Sequence, residues 1–324
     1  MNALKFTKHA QEFRMHSDPF SDFLRLADAK PVVAGGFSAG GDWAIRFPKP
    51  EYLKFFALVK GRCVLMFEGE RTPVYVEEGD VFLLSSTPSF VLASDCITEP
   101  VDAKALFSGS HNKTAVIGDG KDCIQLGGHV KLDPDSGKLL AQVLPTLIHV
   151  RASSQQAGVL SWLLEQLVRE VSQPLPGFSV VSMQLTQLMF VQILREYLQT
   201  TTDLPCNWLK AVSDKRLQPA LALMHNDPAQ NWQLSELAKA AAMSRTSFAV
   251  YFKSIAGVAP LTYLTQWRMY LAGQSLRQSE LSVSTLALQY GYASESAFST
   301  AFKRINGVSP RNYRNLKMAE LADN

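Results

Sequence analysis

A unit of about 28 residues occurs twice near the end of this chain, and no other feature limits its fold as strongly. Residues 233–260 read QLSELAKAAAMSRTSFAVYFKSIAGVAP, and residues 282–310 read SVSTLALQYGYASESAFSTAFKRINGVSP. With one residue inserted in the second copy, Ser235, Leu237, Ala238, Ser244, Phe248 and Phe252 recur as Ser284, Leu286, Ala287, Ser294, Phe298 and Phe302. Lys253, Ile255, Gly257, Val258 and Pro260 recur as Lys303, Ile305, Gly307, Val308 and Pro310. Such agreement marks one structural unit used twice.

Each copy carries the chemistry of two short helices joined tightly. In the first, the Ala-rich stretch Leu234–Ala241 turns at Ala242-Met243, and Ser244 is placed to cap a second helix over Arg245–Ser254. Phe248 and Phe252, four residues apart, share the buried face of that helix, and Gly257 stops it. In the second copy Ser282 and Ser294 are the caps, Gly291 makes the turn, and Phe298 with Phe302 anchors the helix. A short turn that fixes one helix across another is the helix-turn-helix arrangement, whose second helix enters the DNA major groove. Between the copies, Pro260 starts a helix predicted over Leu261–Gln278, with Tyr263, Leu264, Trp267, Leu271 and Leu276 on its apolar side. Eighteen helical residues make a rod of about 27 Å. Such a rod can hold two recognition helices roughly one DNA turn, about 34 Å, apart.

Charge is distributed to match. From Lys215 to Lys317 there are 12 Lys/Arg and 4 Asp/Glu, a balance of +8, while the rest of the 324 residues carries 20 basic and 25 acidic groups, a balance of −5. A basic module joined to an acidic one suits a polyanion-binding domain with a separate sensing or assembly domain.

Residues from Leu217 to Tyr313 closely resemble the DNA-binding domain of AraC/XylS-type regulators, through LALMHNDPAQNWQLSELA, MSRTSFAVYFKSIAGVAPLTYLTQWRM and GYASESAFSTAFKRINGVSPRNYR. The resemblance implies seven helices, a bipartite site in double-stranded DNA near a promoter, and activation more often than repression, with RNA polymerase as a candidate partner. By the same pattern the exposed positions are Arg245, Thr246, Ala249 and Val250 on the first recognition helix, and Glu295, Ser296, Ser299 and Thr300 on the second. Arg245 suits guanine and the small apolar pair suits thymine methyls. Ala249 and Val250 depart from the polar residues often found there. Glu295 suits either a cytosine amino group or its own helix N-terminus. Lys253, Lys303, Arg304 and Arg311 suit phosphates, or simply a solvated face.

The first part of the chain reads as short strands. Val59–Phe67, Val74–Val76 and Val81–Leu84 are β-branched and aromatic runs, separated by Glu68-Gly69-Glu70 and Glu77-Glu78-Gly79-Asp80, whose acidic groups read as solvated turn residues. Close spacing predicts a barrel or sandwich. Asp18–Leu24, Gly61, Gly79-Asp80 and the phrase Leu83–Leu92 resemble the cupin-type N-terminal domain of the same regulators. The fold expected is therefore α+β and multidomain. Residues 1–132 form a cupin-like regulatory barrel, 133–199 a helical dimerisation segment, 200–214 a linker, and 215–317 the DNA-binding domain. Within 133–199, helices are predicted over Lys138–Val150, Gly158–Val171 and Phe178–Gln199. The last carries a row of Val181, Leu185, Leu188, Val191, Leu194 and Leu198 that serves either for packing on the barrel or as the seam of a homodimer.

Cupins include metal enzymes, so a cupin-type metal-dependent enzyme fused to a DNA-binding module is the alternative. Metal cupins use a His-x-His pair, a Glu and a later His. No His lies between His16 and His111, Phe90 stands near the place of the last ligand, and His111, His129 and His149 lack ligand spacing. The reading is therefore of no enzyme, no metal and no cofactor. Phe55, Phe56, Phe67, Tyr75, Phe82, Phe90 and Leu65 are the candidate lining of a pocket for a small-molecule effector, or else plain core. Cys63, Cys96, Cys123 and Cys206 are far apart and read as buried free thiols, the start is polar without a signal-peptide run, and no apolar segment spans a bilayer, so a cytoplasmic protein without membrane contact is expected.

Overall fold

Alternating apolar residues between Lys30 and Val150 pair into two facing sheets. The computed structural model describes residues 18–108, 115–133, 136–154, 157–201 and 204–315. His16, His111 and Lys317 lie outside the described residues. The strands are β1 Lys30–Ala39, β2 Ala44–Phe47, β3 Leu53–Lys60, β4 Arg62–Phe67, β5 Val74–Glu77, β6 Val81–Leu84, β7 Phe90–Ala93, β8 Val101–Asp102, β9 Ala115–Ile117, β10 Cys123–Lys131 and β11 Leu147–Val150. One sheet has the order β11-β6-β3-β10-β1-β9 and the other β5-β4-β7-β2-β8. The core between them is aromatic: Phe47 stacks on Phe90 at 5.0 Å and Phe56 on Phe82 at 5.2 Å, beside buried Ile45, Leu58, Leu65 and Leu92. At one side of the barrel, helices α4 (Ala157–Ser172) and α5 (Phe178–Thr200) pack on each other. Two short helices, α2 (Ala103–Phe107) and α3 (Ser136–Val143), complete this unit.

The fold, leaving the pocket lining aside, departs from the sequence expectations in five places. The run Val59–Phe67 is two strands, because Gly61 turns the chain out of one sheet and into the other; any side chain there would strike the Asp122 carbonyl. The helix expected over Lys138–Val150 ends at Val143, and Leu147–Val150 becomes β11, paired antiparallel with β6. Pro145 explains the stop, since it cannot extend a helix. Asp80 is a buried structural residue instead of a solvated turn carboxylate: it lies 2.7 Å from His149 Nε2 and accepts from the Ala152 and Glu77 amides at 2.8 and 3.1 Å. Of the four cysteines, Cys63 and Cys123 are buried as expected, but Cys96 and Cys206 are exposed.

The fifth departure concerns the domain boundaries. The described residues divide into one unit spanning Ala27–Leu204 and another that joins Asp18–Leu26 to residues 205–315. Helix α1 (Pro19–Leu26) thus leaves the barrel and packs with the C-terminal helices, and the expected linker contains a helix, α6 (Trp208–Ser213), capped by the Asn207 side chain. Phe23 of α1 stacks on Trp208 at 3.9 Å and tilts against Trp267 at 4.9 Å. His225 Nδ1 lies 3.0 Å from Asp22, its Nε2 lies 2.9 Å from the Tyr263 hydroxyl, and its ring stacks on Trp267. A neutral imidazole donating to Asp22 and accepting from Tyr263 satisfies both contacts.

Candidate nucleic-acid interface

The C-terminal unit continues with α7 (Gln218–Asn226), α8 (Leu234–Ala240), α9 (Arg245–Ala256), α10 (Pro260–Gln278), α11 (Val283–Gln289) and α12 (Glu295–Asn306), and residues 310–315 are also helical. Caps appear where the repeat puts them. Ser244 accepts from the Ser247 amide at 3.2 Å, Ser282 from Thr285 at 3.1 Å and Ser294 from Ala297 at 3.2 Å. Glu236 in turn accepts from the Gln233 amide at 2.7 Å, fixing the start of α8. Helices α9 and α12 both end on a left-handed glycine, Gly257 and Gly307.

Burial separates the two faces of each recognition helix. Phe248, Phe252, Phe298 and Phe302 are fully enclosed. On the opposite face Arg245, Thr246, Val250, Ser296, Thr300, Lys253, Lys303 and Arg304 are exposed, while Ala249, Ser299 and Glu295 are half-buried. Val250 is 67% exposed. Glu295 faces Arg311 at 3.6 Å, so this carboxylate already has a cationic neighbour. Thr300 donates to the Ser296 carbonyl at 2.9 Å.

One helix carries both modules. Near its start, Tyr263 of α10 meets Phe252 of α9 edge-on at 5.5 Å, with Leu264 and Trp267 buried beside it. Towards its end, Met269, Ala272 and Leu276 join Leu286, Phe298 and Phe302 in a second core. Arg268, midway, donates to the carbonyls of Pro228 and Gln230 and so ties α10 to the loop that precedes α8. The spacer is thus a single nineteen-residue helix with a core at each end.

The barrel holds a cavity of about 220 Å³, lined by Gly35, Phe37, Phe47, Lys54, Phe56, Gln125 and neighbouring residues of β1, β10 and α2. Of the residues predicted to line a pocket, Phe56 does so. Phe55, next to it on β3, points to the opposite face, as strand alternation demands, and Phe82 and Phe90 are core behind the wall. Phe67 is also core, and Tyr75 lies on the outside of the barrel, 67% exposed. Lys54, Gln125 and His129 were not legible as lining residues, since only the pairing of β3 with β10 brings them together. Among the described residues no three His, Cys, Asp or Glu side chains are gathered to hold a metal ion, and no helix is long and apolar enough to cross a membrane.

Comparison with known proteins agrees with this architecture. A family model described as cupin matches residues 18–199, and one described as helix-turn-helix domain matches residues 237–316. The cupin match includes α1, although α1 packs in the other unit. An AraC-like transcription regulator of Streptomyces antibioticus is 36% identical over 297 residues, 92% of this chain and 98% of that protein. The HTH-type transcriptional regulator AlkR of Acinetobacter baylyi is 30% identical over 282 residues, 85% of this chain and 91% of its own length. Among solved structures, the DNA-binding domain of AdpA in complex with a target DNA is 32% identical, with a TM-score of 0.32, covering 33% of this chain and 96% of that one. The chain belongs to the AraC family and is a DNA-binding transcription regulator with a cupin domain preceding its helix-turn-helix domain.

Proposed function

We propose that this regulator lays α9 and α12 in two successive major grooves of one site, with Arg245 reading a base and Lys253, Lys303 and Arg304 gripping phosphates. The observation that carries this reading is the mounting of two matched helices, each with a buried phenylalanine pair and an exposed opposite face, on the single helix α10. A shared rod fixes their spacing, and fixed spacing is what a bipartite site needs. The barrel takes a small effector whose binding shifts the protein between DNA-bound arrangements, making it a ligand-responsive activator that works with RNA polymerase in the cytoplasm. In this reading the barrel acts as a binding domain and not as a catalyst.

Homodimerisation is proposed through α4 and α5. Leu185 and Leu194 of the expected seam are buried within their own unit, but Val181 and Leu188 are exposed, alongside Val159, Trp162, Val180 and Met183. Exposed apolar groups in such number on adjacent helices favour association. Selection of bound sequences from random DNA with the full chain tests the whole reading. Two short motifs about one turn apart, present in two copies per recovered site, are expected. A single short motif would contradict it.

A further inference from the structure

We propose that the barrel cavity is a receptor for a compact, mostly apolar carboxylic acid that carries a second hydrogen-bonding group at the end away from its carboxylate. This rests on the reading of the barrel as an effector domain. It names the effector's chemistry from the cavity's own residues.

The cavity follows from strand register. Across β1, β10 and β3 one row aligns Phe37, Gln125 and Leu58, the next Gly35, Gly127 and Phe56, and an outer one places His129 opposite Lys54. The middle row lacks two side chains, so a space opens in the sheet face, walled by Phe37, Phe47, Phe56 and Phe107. An apolar cavity of about 150 Å³ holds benzene. The 220 Å³ here takes one ring, or an equivalent alkyl body, with a few further atoms.

The two ends differ in chemistry. At the inner end Gln125 is 1% exposed, yet neither its side-chain oxygen nor its nitrogen has a hydrogen-bond partner among the described residues. An unpaired buried amide destabilises the fold, a cost relieved when a guest supplies a donor or acceptor. At the outer end Lys54 is half-buried over the Phe47 ring, and His129 stands opposite it. Burial pushes the Lys54 pKa down; burial, then the charges of Lys131 and Lys54, lower that of His129, and no described carboxylate acts on either group. A desolvated cation beside a neutral imidazole donor is a seat for an anion. Gln125 and His129 are four residues apart on one strand, a span of about 13 Å, which sets the separation of the guest's two polar groups once the side chains reach inward.

Calorimetric titration of the full chain with 4-hydroxyphenylacetate, phenylacetate and 4-hydroxyphenylacetamide tests this. The hydroxy acid is expected to bind saturably, and the other two about tenfold more weakly or worse, one lacking the distal hydroxyl and the other the charge. Lys54→Met should abolish the preference for acid over amide. Gln125→Leu should abolish the preference for the hydroxyl while raising the melting temperature of the ligand-free protein, because it removes the unpaired amide; this second variant keeps the test open if the first folds poorly. The proposal is overturned if 4-hydroxyphenylacetate does not bind saturably, if acid and amide bind alike, or if Gln125→Leu leaves the ligand-free melt unchanged, as it would were water already pairing the amide. DNA affinity measured on the same preparations separates the two readings: intact DNA binding without acid binding overturns the receptor chemistry alone.

Discussion

Arg245 is exposed at the first position of α9 and offers the planar, five-donor fork that pairs with guanine O6 and N7. Replacing it with alanine should weaken specific binding by about 1–3 kcal/mol in an electrophoretic titration, with little change on unrelated DNA. Equal losses on both DNAs would make it a phosphate contact instead. Stability turns on other single residues. Gly291 follows α11 at φ 77°, where a side chain would strike the Ala229 carbonyl, and the matching place in the first copy is Ala242 at φ 52°. An L-residue pays about 1–2 kcal/mol for that left-handed backbone, partly offset by the extra freedom glycine loses on folding. Ala242→Gly should therefore stabilise the protein by about 0.5–1 kcal/mol in urea melts, and Gly291→Ala should destabilise it. No gain from Ala242→Gly would mean that the strain is relaxed elsewhere. His225 adds a pH dependence. Its burial lowers its pKa more than its hydrogen bond to Asp22 raises it, so the unfolded chain takes up this proton more readily than the folded one. Stability should be fully present above the unfolded value of about 6.5 and decline as pH falls from there towards the folded pKa. Melts of the full chain from pH 7 to 5.5 should slope less steeply for His225→Gln than for wild type; parallel slopes would contradict the assignment.

Helix α1 has the largest consequence among the elements. Its ring Phe23 meets Trp208 of α6 and Trp267 of α10, so truncation leaves a gap between two tryptophans in the C-terminal unit. Phe23→Ala should cost about 3–5 kcal/mol, read as an earlier change of tryptophan fluorescence in urea. An unmoved midpoint would mean that α1 is not part of that core. This placement was not legible in the sequence. The apolar pattern of Pro19–Leu26 says that the helix has a buried face, but partners 185 and more residues away leave no mark on local spacing. The same holds for the cavity. Phe55 and Phe56 are adjacent and chemically identical, and only the register of β3 against β10 decides which faces inward and that Lys54 meets His129. By contrast, the serine caps, phenylalanine anchors and glycine turns of the two repeats were legible, because each depends on neighbours within four residues.

At the scale of the molecule, division of labour was visible first in charge, with the basic excess gathered between Lys215 and Lys317. The repeat then fixed the architecture of that region, since two copies of one unit must bury two equivalent cores. What repetition alone does not reveal is how those cores are joined; here α10 supplies residues to both, so the distance between α9 and α12 is set by a helix and not by a loop. Hydroxyl-radical footprinting of the full chain on a selected operator tests that spacing most directly. Two protected patches on one face of the duplex, centred about one helical turn apart for each protomer, are predicted, with Arg245→Ala thinning only one of each pair. One patch per protomer, or two on opposite faces of the duplex, would contradict it.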